Sequence, residues 1–424
     1  MIPVAVISFN YAPYNVTGTF RILKFVKHMP DYGLRPIVIT AEQGDHHTNC
    51  DLLKDIPANC KVYRFKSIFP DSQQLYKDSG FFTSEKKPLL KRILYLLKDI
   101  FLSPDIQMTW VLLNFFKILR IIHKEKVKTI LITAAPFSLF VLGSMIKLFK
   151  KVNLIYDYRD CWHSDIRQQH QSVIRKYLNR KIETMTLKKA DAIVTTTDHI
   201  LSETLKLCPK KRGIVIPTGF DPSDFIEESD QNLETNDCFC FFYSGWFRFN
   251  DKIYDPTLLL KAMDVINQTY KIKIIICGNV LEETISELKE KHPYLDFRGF
   301  IPRTELIRLA MTSDALIQYC YPTKMKDVIS FKMFEYSQYG KPVVSINSKE
   351  SEIARFLEES RTGFSCENDD LDEMIKLIDY VIRCDKKRFK EQINHKMLDK
   401  MSVKNSVHTL SDLIKSLEHP EKGK

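Results

Sequence analysis

Short apolar runs alternate with longer amphipathic stretches along the first half of the chain. The apolar runs have the length and composition of buried strands. They lie at 4–8, 36–40, 61–65, 129–133, 153–158 and 192–196. Helical patterns separate most of them, and strands that alternate with helices form parallel sheets with both faces covered.

The same alternation begins again in the second half. Strands are predicted at 239–244, 273–277, 296–298, 315–319 and 342–346, and helices at 255–267, 282–291, 304–311 and 330–339. Between the two sets lies a polar, acidic stretch with the composition of a linker. The pattern therefore predicts an α/β protein with two tandem Rossmann-like domains, 1–221 and 238–402, joined by a linker at 222–237. A last helix falls in the segment 403–424.

Length, charge and cysteine spacing narrow the class of protein. The 424 residues suffice for two hydrophobic cores, and a net charge of +10 favours phosphate-bearing partners of any kind. We find no zinc finger, basic recognition helix or RNA-binding aromatic signature, so nucleic acid is not an expected partner. The ten cysteines are scattered without zinc spacing. They predict no metal site and a reducing compartment.

The terminus and the hydropathy pattern predict a cytoplasmic protein. Residues 1–8 lack a basic region and a small-residue cleavage site, so no signal peptide is expected. No run reaches the roughly 18 apolar residues that a spanning helix needs. Segment 86–98 is basic, with leucines at helical spacing. It either lies on an anionic membrane surface, at the inner face of the cell membrane, or is a surface helix that packs on its own core.

Two segments of the first domain could carry chemistry. Gly18 lies in the turn after the first strand, where doubly wound domains bind ligands, although one glycine also fits an ordinary loop. Asp157, Arg159 and Asp160 follow a buried strand directly. They form either a charged functional cluster or an ion pair that fixes the loop.

The second domain offers cations and a carboxylate. Arg248 and Lys252 lie just past a strand, where they could hold a pyrophosphate or simply line a solvated loop. Ser330 is a predicted helix N-cap. Lys332 and Glu335 are three residues apart and share a helix face. The carboxylate could accept two hydrogen bonds from a ribose diol, or the two residues could form a surface ion pair.

Six stretches of sequence resemble the motifs of one family. They are Ala12-Pro13 with 18–21, Pro104-Asp105 with Trp110, 133–138, 157–162, 216–221 and 332–343. Residues 157–162, Asp-Tyr-Arg-Asp-Cys-Trp, are similar to the family's Asp-x-Arg-Asp-Pro-Trp and are the most specific match. Residues 332–343 resemble its Lys-Leu-Phe-Glu-Tyr…Gly-x-Pro-Val signature. From about residue 2 to 415, the chain resembles glycosyltransferase family 4-like proteins.

The resemblance implies the GT-B fold, in which two parallel sheets face a deep interdomain cleft and the last helix packs back on the N-terminal domain. It implies a nucleoside-diphosphate sugar, UDP or GDP, as co-substrate and no other cofactor. Glu335 would hold the donor ribose, and Asp327, at the acidic-x7-acidic spacing, would contact the donor sugar. The phosphates would be held by a larger set: Arg248, Lys252, Lys332, Ser330, Gly18, Thr19 and Gly245.

On the acceptor side, Arg159, Asp160 and His163 are the candidates to position the saccharide or lipid-linked acceptor. The chain departs from the family pattern at several places. Gly18-Thr19 replaces a glycine pair, and Asp327 stands where glutamate is commoner. Cys161 and Thr218 replace proline and asparagine, and the basic pair Arg248 and Lys252 is more closely spaced than usual.

The sequence thus predicts a metal-independent, retaining glycosyltransferase, expected in bacterial surface polysaccharide assembly. Its one Asp-x-Asp, at 370–372, lies at a predicted helix start rather than after a strand, which argues against a metal-dependent GT-A enzyme. Two alternatives remain: a non-catalytic GT-B protein that binds a partner, and a nucleotide-sugar 2-epimerase.

Overall fold

The computed structural model of the chain describes residues 1–42, 44, 48–69, 103–164, 173–225, 237–247, 255–280, 282–319 and 329–419. The chain divides into two compact units. Met1–Thr218 and Val403–Lys424 form the first unit, and Gly219–Ser402 forms the second. Each unit is an α/β domain built on one parallel sheet.

The sheet of the first unit has seven strands within the described residues, in the order β3-β2-β1-β4-β5-β6-β7. They are β1 (Ile2–Ile7), β2 (Leu34–Glu42), β3 (Lys61–Lys66), β4 (Thr129–Ala134), β5 (Asn153–Tyr158), β6 (Ala192–Thr195) and β7 (Gly213–Val215). β4 is buried at every residue, because elements cover both faces of the sheet. The strand order reverses between β1 and β4, which places the ligand-binding edge of such a sheet at their carboxyl ends.

Within the described residues of the first unit, five α-helices accompany this sheet before the chain enters the second unit. They are α1 (Thr17–His28), α2 (Met108–Lys124), α3 (Ser138–Phe149), α4 (Val173–Lys189) and α5 (Asp198–Leu207). The start of α5 is fixed by Thr197, whose Oγ1 accepts a hydrogen bond from the Ile200 N–H at 3.3 Å.

The sheet of the second unit has six strands within its described part, in the order β10-β9-β8-β11-β12-β13. They are β8 (Phe239–Phe247), β9 (Ile272–Val280), β10 (Leu295–Gly299), β11 (Ala315–Tyr319), β12 (Val343–Ile346) and β13 (Gly363–Cys366). Here the order reverses between β8 and β11, so the carboxyl ends of these two strands form the expected ligand-binding edge.

The helices of the second unit are α6 (Thr257–Asn267), α7 (Glu282–Lys291), α8 (Arg303–Thr312), α9 (Phe331–Tyr336), α10 (Glu352–Ser360), α11 (Leu371–Arg383), α12 (Lys386–Gln392) and α13 (His395–Lys400). Asp370 caps α11, since its Oδ1 accepts a hydrogen bond from the Glu373 N–H at 2.9 Å. This confirms that the Asp-x-Asp segment is a helix start.

The last helix, α14 (Val403–Glu418), returns the chain to the first unit. Its buried Val407, Leu410 and Ile414 join the core that also contains Ile22 of α1 and Val4 of β1. The predicted packing of the C-terminal helix on the N-terminal domain is therefore confirmed. No helix in the described part of the chain is long and apolar enough to cross a membrane.

Three local predictions were wrong or incomplete. β7 and β13 were not predicted, because β7 has only three residues and β13 carries Ser365 between its apolar positions. The helix predicted at 330–339 is the six-residue α9, followed by a turn that ends at Gly340 with φ 63°. A positive φ favours glycine, and it ends the helical conformation before β12.

Candidate functional site

In the first unit, Gly18 lies within the first turn of α1 and contacts Arg159. A Cβ atom on Gly18 would lie 2.3 Å from Arg159 Nη1, so any side chain at position 18 would require this guanidinium to move. Arg159 is fixed by two hydrogen bonds, from Nε to Ala134 O at 3.0 Å and from Nη2 to Ala135 O at 2.6 Å. The structure therefore brings Gly18 and Arg159 together at the carboxyl ends of β4 and β5. Thr19, predicted near the phosphates, has a fully buried side chain.

The contact between Gly18 and Arg159 gives a testable prediction. Gly18→Ala should lower the free energy of unfolding by about 1–3 kcal/mol, because the new methyl group forces Arg159 away from at least one carbonyl. Urea unfolding of both variants would measure the change. Gly44→Ala is the matched control, since nothing lies within 4 Å of the added methyl. Equal losses at the two glycines would contradict the proposed contact.

The carboxylate of Asp157 belongs to a buried ion pair, but its partner is not Arg159. Arg21 of α1 donates to it from Nη2 at 2.7 Å and from Nε at 3.1 Å. The two side chains are 1% and 0% exposed. The sequence left open whether Asp157 belongs to a functional cluster or to a structural ion pair. The structure shows the ion pair, which links β5 to α1. Asp160 is partly exposed in the loop that follows.

His163 follows Asp160 in the same loop and lies against a residue that the sequence analysis missed. The buried Glu183 of α4 accepts a hydrogen bond from the His163 backbone N–H at 3.1 Å, and the same oxygen lies 3.0 Å from Nδ1 of the ring. Burial raises the pKa of Glu183, although its hydrogen bond with His163 opposes the shift. A signal was present in the sequence. The helical spacing of Asn179, Glu183 and Leu187 places two polar residues on the face of α4 that is buried.

In the second unit, β8 ends at a site lined by glycine and lysine. Gly245 has φ 143° and Gly278 on β9 has φ 129°, conformations that side chains rarely adopt. Lys332 donates to Ser244 O at 2.9 Å, and its Nζ lies 4.7 Å from the centre of the Tyr243 ring. A Cβ on Gly245 would be 3.5 Å from that Nζ. The structure thus places the cation of Lys332 against the backbone near the end of β8.

Glu335, on α9, is 6% exposed and forms an ion pair with Arg303. Arg303 Nη2 also lies 3.0 Å from Asp224 Oδ2. Although burial opposes it, the charges of Glu335 and Asp224 raise the pKa of Arg303. The phenolic oxygen of Tyr336, the next residue, accepts a hydrogen bond from the Ser244 N–H at 3.1 Å. This bond joins α9 to β8 near its end.

Arg303 and Asp224 were not predicted from the sequence. One signal existed: Arg303 is the first residue of α8, where the helix dipole disfavours a cation. An arginine at such a position indicates a nearby carboxylate.

The remaining predicted residues of this unit fall into two groups. Ser330 occupies the N-cap position of α9, but its side chain does not cap the helix. Its Oγ is buried and makes no hydrogen bond within the described residues. Arg248, Lys252 and Asp327 lie outside the described residues, as do the 86–98 segment and most of the predicted linker.

Two family models match adjacent parts of the chain. The model described as Glycosyltransferase Family 4 matches residues 21–224, and the model described as Glycosyl transferases group 1 matches residues 224–396. The chain belongs to the family 4-like glycosyltransferases. A curated relative, an uncharacterized glycosyltransferase of Haemophilus influenzae, is 28% identical over 127 residues. That alignment covers 29% of this chain and 35% of the relative, so the chain spans about a third of the length of the curated relative it matches.

Solved structures confirm the GT-B fold of this family 4-like glycosyltransferase. A glycosyltransferase from Rickettsia africae superimposes with a TM-score of 0.67 at 14% identity, over 100% of this chain and 99% of the other. Sucrose-phosphate synthase from Thermosynechococcus elongatus gives 0.66 at 12% identity, over 99% and 100%. The UDP-GlcNAc 2-epimerase of Methanocaldococcus jannaschii gives 0.57 at 10% identity, over 98% and 99%. At such identities the likeness shows the fold alone.

Proposed function

We propose that this chain transfers a sugar from a nucleoside-diphosphate sugar to a saccharide or lipid-linked acceptor. The observation that carries the proposal is the buried carboxylate of Glu335 on α9, whose neighbours Lys332 and Tyr336 both contact the end of β8. A carboxylate in this position can accept two hydrogen bonds from the hydroxyls of a ribose. Gly245 at the strand end allows a diphosphate to approach the backbone.

The leaving diphosphate would be stabilised by cations. As the glycosidic bond breaks, negative charge develops on the diphosphate, and fixed positive groups lower the energy of that transition state. Lys332 is one such group, and we assign the same role to Arg248 and Lys252. Side-chain cations can supply what Mg²⁺ supplies in other enzymes, so we propose a metal-independent reaction. The buried Oγ of Ser330 would bond a phosphate oxygen, and Asp327 would contact the donor sugar.

We place the acceptor on the first unit, where Arg159, Asp160 and His163 follow the end of β5. Gly18 would contribute through its main chain, and so would Thr19, because the Thr19 side chain is fully buried. The family resemblance supports retention of the anomeric configuration. It also supports a place in bacterial surface polysaccharide assembly, on the cytoplasmic face of the cell membrane.

A second candidate is a nucleotide-sugar 2-epimerase, because an enzyme of that name shares the fold over nearly the whole chain. An epimerase would convert the sugar nucleotide without an acceptor, whereas a transferase needs one. A third candidate is a non-catalytic protein that binds a partner, and such a protein would not respond to nucleotides.

The donor site can be tested by thermal-shift binding of UDP, GDP, ADP, CMP and dTDP, each with and without EDTA. We expect one diphosphate, UDP or GDP, to raise the melting temperature of the wild type regardless of EDTA. Glu335→Ala should abolish that shift. A shift that disappears with EDTA would overturn metal independence, and no shift with any nucleotide would favour the non-catalytic protein.

The membrane part of the proposal rests on an exposed apolar surface of the first unit. Five large side chains on α2 and α3 are exposed: Leu112, Leu113, Phe116, Leu148 and Phe149. Phe115 lies edge-on to Phe116 and Phe149, so the two helices share this surface. Exposed cations, Lys117, Arg120, Lys124 and Lys151, lie on the same helices or directly after them. Apolar side chains with neighbouring cations fit the boundary of an anionic bilayer.

Phe116→Ser with Phe149→Ser should therefore weaken binding to phosphatidylglycerol vesicles by about tenfold or more, since each ring loses its apolar contact with lipid. Vesicle co-sedimentation would measure this. The control is Phe300→Ser, an equally exposed phenylalanine of the second unit. The charge-reversed variant of Lys86, Lys87, Lys91 and Arg92 tests the 86–98 segment in the same assay. A wild-type protein that does not bind the vesicles would end the membrane proposal.

A further inference from the structure

The side chains of His163 and Glu183 are in contact, next to the proposed acceptor residues. Trp162, the residue before His163, is 1% exposed and stacks on Phe137 at 4.7 Å with the ring planes 8° apart. The loop is therefore anchored in the core immediately before the histidine. The Glu183 side chain is 1% exposed and that of His163 is 18% exposed. One end of the imidazole is thus fixed in the protein while part of the ring remains accessible.

The contacts of Glu183 favour one position for the proton on the imidazole ring. Glu183 Oε2 accepts the backbone N–H of His163 at 3.1 Å, and a backbone N–H can only donate. The same oxygen lies 3.0 Å from Nδ1. We assign the proton to Nδ1, because an oxygen that already accepts one hydrogen bond accepts a second from an N–H. In the neutral ring, Nε2 then carries the lone pair.

We propose that Glu183 is a positioning residue that holds His163 in the Nδ1–H form, so that Nε2 accepts a hydrogen bond from the acceptor hydroxyl. This inference rests on the proposed function, since it assigns a specific role in that reaction to the acceptor side. A hydroxyl that donates to Nε2 has its oxygen lone pairs directed away from the histidine. The contact therefore orients the attacking oxygen, which is a large part of what an enzyme contributes to a transfer between two substrates.

Other titratable groups lie near the pair within the described part of the chain. Tyr158 and Tyr156 of β5 have pKa values raised by burial, so both phenols are neutral at physiological pH. Cys208, after α5, interacts electrostatically with Tyr158. Arg159 and Asp160 precede the pair in the same loop, and Arg159 is bonded to the carbonyls of Ala134 and Ala135. The carboxyl group of Glu183 is thus the group placed to select the tautomer.

Variants at position 183 can distinguish the selection of the tautomer from simple packing. Glu183→Gln keeps the size and shape of the side chain, and its amide can present either an oxygen or an NH₂ group to the ring. Because the position facing Nδ1 also accepts the backbone N–H of His163, glutamine keeps its oxygen there and preserves the Nδ1–H form. Glu183→Leu removes the acceptor and leaves the tautomer unselected, so Glu183→Gln serves as the conservative control.

The tautomer can be measured directly by ¹⁵N NMR of protein labelled at its 11 histidines, with His163→Gln used to assign the signals. We expect the wild type and Glu183→Gln at neutral pH to show Nδ1 protonated and Nε2 unprotonated, and Glu183→Leu to shift towards the other form. A wild-type ring protonated on Nε2, or unchanged signals in Glu183→Leu, would overturn the proposal. This readout needs no enzymatic activity, so it remains informative even if the proposed function fails.

Kinetics provides the second test on the full chain. Glu183→Leu should lower kcat/KM for the acceptor by about ten- to a hundredfold and leave the dissociation constant of the nucleotide unchanged, whereas Glu183→Gln should keep most of the activity. Asp264→Leu is the matched control, because Asp264 pairs with Nδ1 of His292 at 2.7 Å in the second unit. Equal effects of Glu183→Leu and Asp264→Leu, or an equal loss in Glu183→Gln, would overturn the positioning role.

Discussion

Replacing Glu335 with glutamine is expected to weaken the binding of the donor nucleotide by about ten- to a hundredfold. A carboxylate accepts hydrogen bonds at both oxygens, and hydrogen bonds to a charged group contribute about 1.5–3 kcal/mol each. Glutamine retains one acceptor and places an NH₂ group against a ribose hydroxyl. It also removes the negative charge that faces Arg303. The loss of a single strong contact corresponds to this range of dissociation constants.

Isothermal titration calorimetry with the nucleotide selected by thermal shift would measure this change. Glu305→Gln is the control, because Glu305 also pairs with an arginine of the second unit, Arg308, but on the exposed surface of α8. The thermal stability of Glu335→Gln should change little, since Arg303 keeps Asp224 as a partner. If Glu335→Gln bound the nucleotide as tightly as wild type, Glu335 would not be the ribose ligand.

The largest expected effect on stability is that of Asp157→Asn. We expect the free energy of unfolding to fall by about 3–5 kcal/mol, because the substitution leaves the charge of Arg21 buried without a counter-ion. The Nη1 atom of Arg21 makes no hydrogen bond within the described residues. Few other acceptors could therefore replace the lost carboxylate. Denaturant unfolding followed by circular dichroism would measure the loss.

Removing both charges should lower the free energy of unfolding by less than removing one of them. Arg21→Met combined with Asp157→Leu replaces the buried pair with apolar side chains of similar volume, and we expect it to recover most of the lost stability. Asp51→Asn is the control, since Asp51 pairs with Lys54 on the surface and its loss should have no measurable effect. A loss below about 1 kcal/mol in Asp157→Asn would contradict the role of this pair.

The sequence predicted the fold well because strands and helices leave local patterns. Eleven apolar runs were identified as strands, and all of them overlap strands of the structure. The two short strands β7 and β13 were missed, since three or four residues with polar or glycine positions give little periodicity. The start of α9 was predicted within one residue, but its end was not, because the residues before Gly340 form a turn.

The candidate site was predictable only in part, for a physical reason. Lys332 and Glu335 could be proposed from their spacing on one helix, and the structure places Lys332 at the end of β8. The partners of the functional residues could not be proposed, because each pair joins elements that are distant in sequence. Arg21 and Asp157 are 136 residues apart, Arg303 and Glu335 are 32 apart, and His163 and Glu183 are 20 apart. Such pairs depend on tertiary packing, which local periodicity does not encode.

The central claim is tested most directly by the release of nucleoside diphosphate from sugar nucleotides in the presence and absence of acceptor. Purified protein would be incubated with UDP- and GDP-sugars, with EDTA present, and with lipid-linked saccharides as acceptors. Mass spectrometry would follow both products. We predict that diphosphate release depends on the acceptor and that the acceptor gains the mass of one sugar residue. Formation of an epimer without any acceptor, or no reaction while the nucleotide still binds, would contradict the account.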